Sequence, residues 1–169
     1  MKQKAINDYE FQKIIKELIK NKDVQQMKNY PQHFNTDCYE HCYNVAYLSY
    51  LISKKMNWDY KSSARAGMLH DLFLYNWRKR LDDRKGLHAF THAKQACQNA
   101  SKLFELTKKE QNIIKRHMFP VTIIPPTSKE GILLTIIDKY CTIYEFKKYL
   151  SEKAIIRKLI TINGLINIK

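Results

Sequence analysis

Six side chains of the kinds that hold metal ions are spread along this 169-residue chain: His41, His70, Asp71, His92, His117 and Asp138. Each stands among apolar neighbours at helical spacing, so each faces ground that a chain normally fills with hydrocarbon. His70 shares a face with Ala66, Leu69 and Phe73, and His41 lies one turn before Val45 and two before Leu48. His117 follows Ile113 and Ile114, Asp138 stands between Leu134 and Cys141, and His92 opens the face continued by Ala96 and Leu103. Taken singly, an inward histidine is an ordinary hydrogen-bonded core residue and an aspartate at a helix end is a cap. Two carboxylates and four imidazoles facing one core need a compensating positive charge, because an unpaired buried carboxylate costs several kcal/mol. Lys139 supplies some of that charge; a metal ion supplies more and satisfies several lone pairs at once. Imidazole and carboxylate without an obligatory thiolate suit iron, manganese, cobalt, nickel or zinc in five- or six-coordination, and suit magnesium less well. The adjacent His70 and Asp71 cannot both project from one side of a regular helix. Near a helix terminus, however, they offer one residue to each of two neighbouring ions.

The elements that must gather these residues are helical, because period-two alternation is nearly lacking. Phe11, Ile14, Ile15, Leu18 and Ile19 mark a first helix over residues 8–20, and Pro31 breaks the chain after it. A second helix is expected over 37–55 with Val45, Leu48, Leu51 and Ile52 inward, and a third, capped by Asp59, over 60–74. A charged loop containing Gly86 leads to a fourth over 90–104. Thr107 and Glu110 form a capping box for a fifth that ends before Pro120, and Thr127 and Glu130 form another for a helix over 128–148. A last helix is expected over 151–161, and the stretch 121–124 is a connector between prolines. The expectation is an all-α fold: one domain over residues 1–169, a bundle of six to seven helices.

Composition bounds the setting. With four glycines, four prolines and no low-complexity tract, the chain is long enough to bury a core without disulfides. Its apolar runs are too short for a membrane span, and its first residues lack the apolar stretch of a secretory signal. A cytoplasmic protein with reduced Cys38, Cys42, Cys97 and Cys141 is therefore expected, with no membrane partner. Cys38 and Cys42 flank His41 but have no matching second half, so they read as buried thiols rather than a zinc knuckle. The net charge of +14 raises the local concentration of anions. Its lysines are scattered rather than gathered into one arginine-rich stripe, and the companion wealth of Asn, Ile and Tyr reads as codon bias. A small anionic partner fits this better than nucleic acid.

The order His41, His70-Asp71, His92, His117, Asp138 on successive helices resembles the HD-domain superfamily of metal-dependent phosphohydrolases. The resemblance covers residues 33–145 and extends to the texture around the ligands: EHCYNVAYLSYLI, ARAGMLHDL and LLTIIDKY. It implies that His41, His70, Asp71 and Asp138 bind a first ion, and that Asp71 bridges to a second held by His92 and His117. Single-metal members need only the first four. His88 has three readings: a ligand in place of His92, a group over the substrate, or an exposed loop residue. Leu72, Phe73 and Leu74 depart from the small and polar residues that commonly follow the His-Asp pair. The motif of the cyclic-dinucleotide phosphodiesterases is not found, and no substrate attaches to the subgroup that the Pro-rich segment after His117 resembles.

Two such ions about 3.5–4 Å apart lower the pKa of a shared water from about 15.7 toward 7 and prepare it to attack phosphorus in line. Asp71 is then the central catalytic group, with His88 a candidate acid for the leaving oxygen. Arg78, Lys79, Arg80 and Arg84, between two ligand-bearing segments, are candidates for binding the substrate's phosphate, as is Lys139. Trp77 or Phe90 can stack on a base. The expected activity is hydrolysis of a nucleotide or similar small phosphoester. The alternatives are a di-iron oxygenase of the same superfamily and a non-catalytic nucleotide or nucleic-acid binding module.

Overall fold

Caps and apolar spacing decide where the helices of this chain begin and end. The computed structural model describes residues 2–79 and 86–166, and among these every regular element is helical. In chain order α1 (Lys2–Asn7), α2 (Tyr9–Lys20) and α3 (Lys22–Gln26) are followed by a 3-10 turn at Met27–Asn29. Then come α4 (Cys38–Lys55), α5 (Tyr60–Leu69), α6 (His88–Leu103), α7 (Lys108–Arg116) and α8 (Lys129–Ile166). Asp8, Asn21, Asp37, Asp59 and Thr107 each accept a backbone N–H at a helix start. Thr107 and Glu110 close the expected capping box, with the Thr107 amide donating to Glu110 Oε2 at 2.8 Å.

The departures from expectation have local causes. The short α1 and α3 raise the helix number above six or seven, because five or six residues are too few to show a periodic face. α5 stops at Leu69 instead of continuing to residue 74: Phe73 N–H turns back to the Asp71 carbonyl at 2.8 Å, and Leu74 takes a left-handed φ of 56°. The helices expected over 128–148 and 151–161 are one, α8, since neither Pro nor Gly stands at the junction between them. The second capping box does not form. Ser128 Oγ caps Gly131 N–H at 3.1 Å, and Glu130 instead accepts the Asp59 amide at 3.1 Å.

α4 is the central helix and packs most extensively on α5, then on α8. Gly67 permits the close approach, as a Cβ there would lie 2.6 Å from the Ala46 Cα. On the other flank of α4, Phe11 of α2 meets the rings of Tyr43, Tyr47 and Tyr50 at centroid distances of 5.6, 5.0 and 5.3 Å. This tyrosine face displaces part of the inward face expected of α4. Val45 is buried and Leu48 half-buried, but Leu51 and Ile52 are exposed while Ser49 and Ser53 are buried. Arg65 joins α5 to α7 by donating to Glu110 Oε1 at 2.7 Å. Among the described residues, no helix is long and apolar enough to cross a membrane.

Candidate metal centre

Five separate segments converge on one buried spot. α4 carries His41 one turn from its start, and the turn after α5 carries His70 and Asp71. α6 supplies His92, the end of α7 His117, and α8 Asp138. All six side chains are buried, His41 and His70 completely and Asp138, the most open, at 8% exposure. Stopping α5 before the pair, rather than running through it, lets His70 and Asp71 point into the same space.

Asp71 lies at the centre with its two oxygens facing different partners. Oδ1 is 3.3 Å from His92 Nε2 and 3.4 Å from His117 Nε2. Oδ2 is 3.4 Å from His70 Nε2 and accepts a short hydrogen bond from the Gln32 amide. Asp138 Oδ1 stands 3.0 Å from His41 Nε2 and 3.6 Å from His70 Nε2. Three overlapping trios each bring their ligand atoms within 4.8 Å: His41, His70, Asp71; His70, His117, Asp138; and Asp71, His92, His117.

The second ring nitrogens explain why the first ones point inward. His70, His92 and His117 each place Nδ1 against a backbone carbonyl, of Gly67, His88 and Ile114, at 2.8, 2.7 and 2.7 Å. A carbonyl only accepts, so Nδ1 carries the proton and Nε2 is left for a ligand role. His41 Nδ1 donates instead to Glu145 Oε1 at 2.9 Å, a carboxylate–imidazole pairing of the kind that orients metal ligands.

Two buried atoms at the centre, His70 Nε2 and Asp71 Oδ1, make no hydrogen bond. Their contacts of 3.3 Å or more exceed the roughly 2.7–3.2 Å of a good hydrogen bond. Orphaned polar atoms facing one another across carboxylate and imidazole are what a divalent cation satisfies. The protonation pattern agrees. Burial pushes His41 down, but hydrogen bonds to Asp138 and Glu145 carry it well above its ordinary value. Burial likewise opposes charge on His70, which the Asp71 carboxylate raises well above the usual range. Despite burial, Asp71 and Asp138 are held well below the usual carboxylate range, Asp71 by the charge of His70 and Asp138 by the hydrogen bond from His41 and the nearby charge of His70. Burial prevails at His117 and lowers it. Protons on the imidazoles thus provide the positive charge that a bound cation provides in their place.

A cavity of about 200 Å³ opens onto this cluster, bordered by Asp71, His92, His117 and Asp138 and by Trp77 and His88. His88 begins α6, lines the cavity and is not an exposed loop residue. Its Nδ1 is hydrogen-bonded to the Tyr75 hydroxyl at 2.9 Å, and its ring stacks on His92 at 4.4 Å and on Trp77 at 5.3 Å. The described cationic candidates do not border this cavity. Arg78 donates to the Phe34 carbonyl at 3.2 Å, and Lys79 is exposed. Lys139 donates to the carbonyls of His117 and Thr135 at 3.5 and 3.3 Å. Arg80 and Arg84 fall outside the described residues. Phe90 is exposed and away from the cavity wall. Cys38 and Cys42 are buried thiols, as read from their spacing, with Cys38 Sγ donating to the Asp71 carbonyl at 3.1 Å.

Three neighbours of the cluster were not singled out from sequence: Gln32, His33 and Glu145. Glu145 had a signal, since it lies seven residues after Asp138 and so on the same face of α8. Gln32 and His33 sit in an irregular segment with no periodicity to expose them. His33 packs edge-on to His41, with ring centroids 5.2 Å apart, and borders the cavity.

No curated protein and no solved structure matches the chain. One family model does, that of the HD domain, over residues 38–143, from the first turn of α4 into α8. That span is well over half of the sequence and holds all six residues of the cluster, so the chain belongs to the HD-domain family.

Proposed function

We propose that this protein is a metal-dependent phosphohydrolase cleaving a nucleotide or a similar small phosphoester in the cavity above Asp71. The observation that carries the reading is the central carboxylate, with one oxygen toward His92 and His117, the other toward His70, and unpartnered polar atoms between them. His41, His70, Asp71 and Asp138 would hold one divalent ion, and Asp71, His92 and His117 a second. Iron, manganese, cobalt, nickel and zinc suit these donors better than magnesium. When bound, such ions polarise phosphoryl oxygens and make water a nucleophile near neutral pH.

The chain's own residues position and protonate. Gln32 pins Asp71 Oδ2 and leaves Oδ1 toward His92 and His117. Trp77 and the His88 ring wall the cavity and limit its water. In the hydrolysis one water adds to phosphorus in line, and the bond to the leaving oxygen breaks. His88, held by Tyr75, is assigned the return of a proton to that oxygen. The net charge of +14 draws anionic substrates toward the cavity. Four unpaired cysteines fit a reducing, cytoplasmic setting. The test is turnover of a panel of phosphomonoesters and phosphodiesters by protein loaded with Mn²⁺, Co²⁺ or Fe²⁺. Phosphate release that disappears in Asp71→Ala supports the reading; release unchanged in Asp71→Ala contradicts it.

A further inference from the structure

The cavity over the cluster is small for its task. At about 200 Å³ it falls below the roughly 300–1,000 Å³ of ordinary ligand sites, so it holds the reacting group but not a whole substrate. A second groove of about 440 Å³ adjoins it and shares three of its walls, Gln32, His33 and Trp77. With the groove added, the space falls within the ordinary range.

The groove differs chemically from the cavity. It is lined by the rings of Phe34, Trp77 and Tyr149, with Arg78 and Asn35 beside them. Phe34 and Tyr149 are stacked, with centroids 5.4 Å apart and ring planes 26° from parallel. From the cluster outward the rings of His92, His88 and Trp77 form a continuous column, at 4.4 and then 5.3 Å and within 21° of parallel at each step. The Arg78 guanidinium stands 5.6 Å from the Trp77 ring and also donates to the Phe34 carbonyl. A run of parallel aromatic planes leads from the reacting centre to this groove.

Backbone strain marks the same spot. Phe34 adopts a φ of 53°, a conformation costly for a bulky residue, in a turn closed by Thr36 N–H to the His33 carbonyl at 2.8 Å. The turn carries the Phe34 ring to the groove and leaves it partly exposed at 37%, rather than in the core.

We infer that this groove is the subsite for a planar nitrogenous base, which narrows the substrate to a nucleoside monophosphate. The inference rests on the phosphohydrolase reading for the reacting end alone. Stacking on aromatic rings tolerates any base, and the Arg78 fork and Asn35 amide address its hydrogen-bonding edge. Cavity and groove share the walls Gln32, His33 and Trp77, so a base in one and a reacting phosphate in the other are neighbours, the arrangement of a nucleoside monophosphate.

The experiment uses the full chain loaded with Mn²⁺ and carrying Trp58→Phe, which leaves Trp77 as the one indole. The four ribonucleoside 5′-monophosphates and ribose 5-phosphate are titrated against Trp77 fluorescence. The expected result is saturable quenching by at least one nucleotide, with ribose 5-phosphate binding at least about tenfold more weakly. Phe34→Asn with Tyr149→Ala should weaken nucleotide binding by about tenfold or more and leave ribose 5-phosphate unchanged. Asparagine tolerates the positive φ, so the change removes the ring without disturbing the turn. Calorimetry on the unsubstituted protein repeats the ligand comparison without any variant. Equal affinities for ribose 5-phosphate and every nucleotide, or a double variant that binds nucleotides normally, overturns the inference. Turnover is scored separately. Base-dependent binding without hydrolysis faults the phosphohydrolase reading, whereas hydrolysis indifferent to the base faults the groove.

Discussion

Replacing Glu145 by alanine removes the acceptor for His41 Nδ1–H without touching any of the six clustered residues. The pair is fully interior: His41 is inaccessible, Glu145 is buried, and their bond is 2.9 Å. Without Glu145 the imidazole loses its tether and the charge that raises its basicity, so His41 Nε2 becomes a weaker and less directed donor. Loss of such an outer partner typically lowers metal affinity about 10–100-fold, which is about 1.4–2.8 kcal/mol. Burial leaves little water to replace the missing acceptor, which places the expectation in the upper half of that range. Glu145→Gln keeps a hydrogen-bond acceptor and loses only the charge, so its loss should stay below about tenfold. The assay is a competition titration of Co²⁺ or Zn²⁺ against a chelating dye at alkaline pH, where proton competition is least. Circular dichroism checks that each variant is folded. A folded Glu145→Ala variant that binds the ion as tightly as the parent would refute the reasoning, and with it the placing of His41 in the ligand set.

Other consequences are independent of Glu145. His92→Ala should lower the bound metal by one ion per chain, read by elemental analysis, because His92 belongs only to the trio with Asp71 and His117; an unchanged ratio would contradict two separate sites. His41 and His70 are raised well above the ordinary imidazole value, so the metal-free protein keeps protons there at neutral pH. Metal uptake should release them, and apparent affinity should climb as pH rises until those groups deprotonate unaided; calorimetry in buffers of different ionisation enthalpy that finds no proton release would rule this out. Gly67→Ala puts a methyl 2.6 Å from the Ala46 backbone and should destabilise the fold by about 1–3 kcal/mol in urea denaturation. Stripping metal from protein held at 100 times its dissociation constant should remove about 2.7 kcal/mol of stability, seen as a lower midpoint of thermal unfolding.

How much of this could be read from residues alone depended on the kind of signal. The helix around His41 was legible because Val45 and Leu48 repeat at helical steps. The tyrosine flank was not, since Tyr43, Tyr47 and Tyr50 are amphipathic and reveal their side only when Phe11 packs on them. Convergence of the six polar residues followed from each standing on an apolar face, a local property that survives folding. The end of α5 at Leu69 did not, because the apolar run continues through Leu72 and Phe73, which stay buried in a turn rather than a helix. Gln32, held on Asp71, and the Phe34 turn lie in irregular chain, where contacts come from tertiary structure and no period announces them. Of the basic residues, Lys79 is exposed and does not border the cavity, while Arg78 stands against Trp77 beside the adjoining groove, a placement that sequence proximity to the His-Asp pair does not specify.

The central claim is that the buried cluster cages cations around Asp71, and anomalous diffraction from crystals saturated with Mn²⁺ tests it most directly. The account predicts anomalous peaks on both sides of the Asp71 carboxylate, one reached by His41, His70 and Asp138 and the other by His92 and His117. Saturated crystals with no peak beside Asp71, or with manganese bound only elsewhere on the protein, would contradict it.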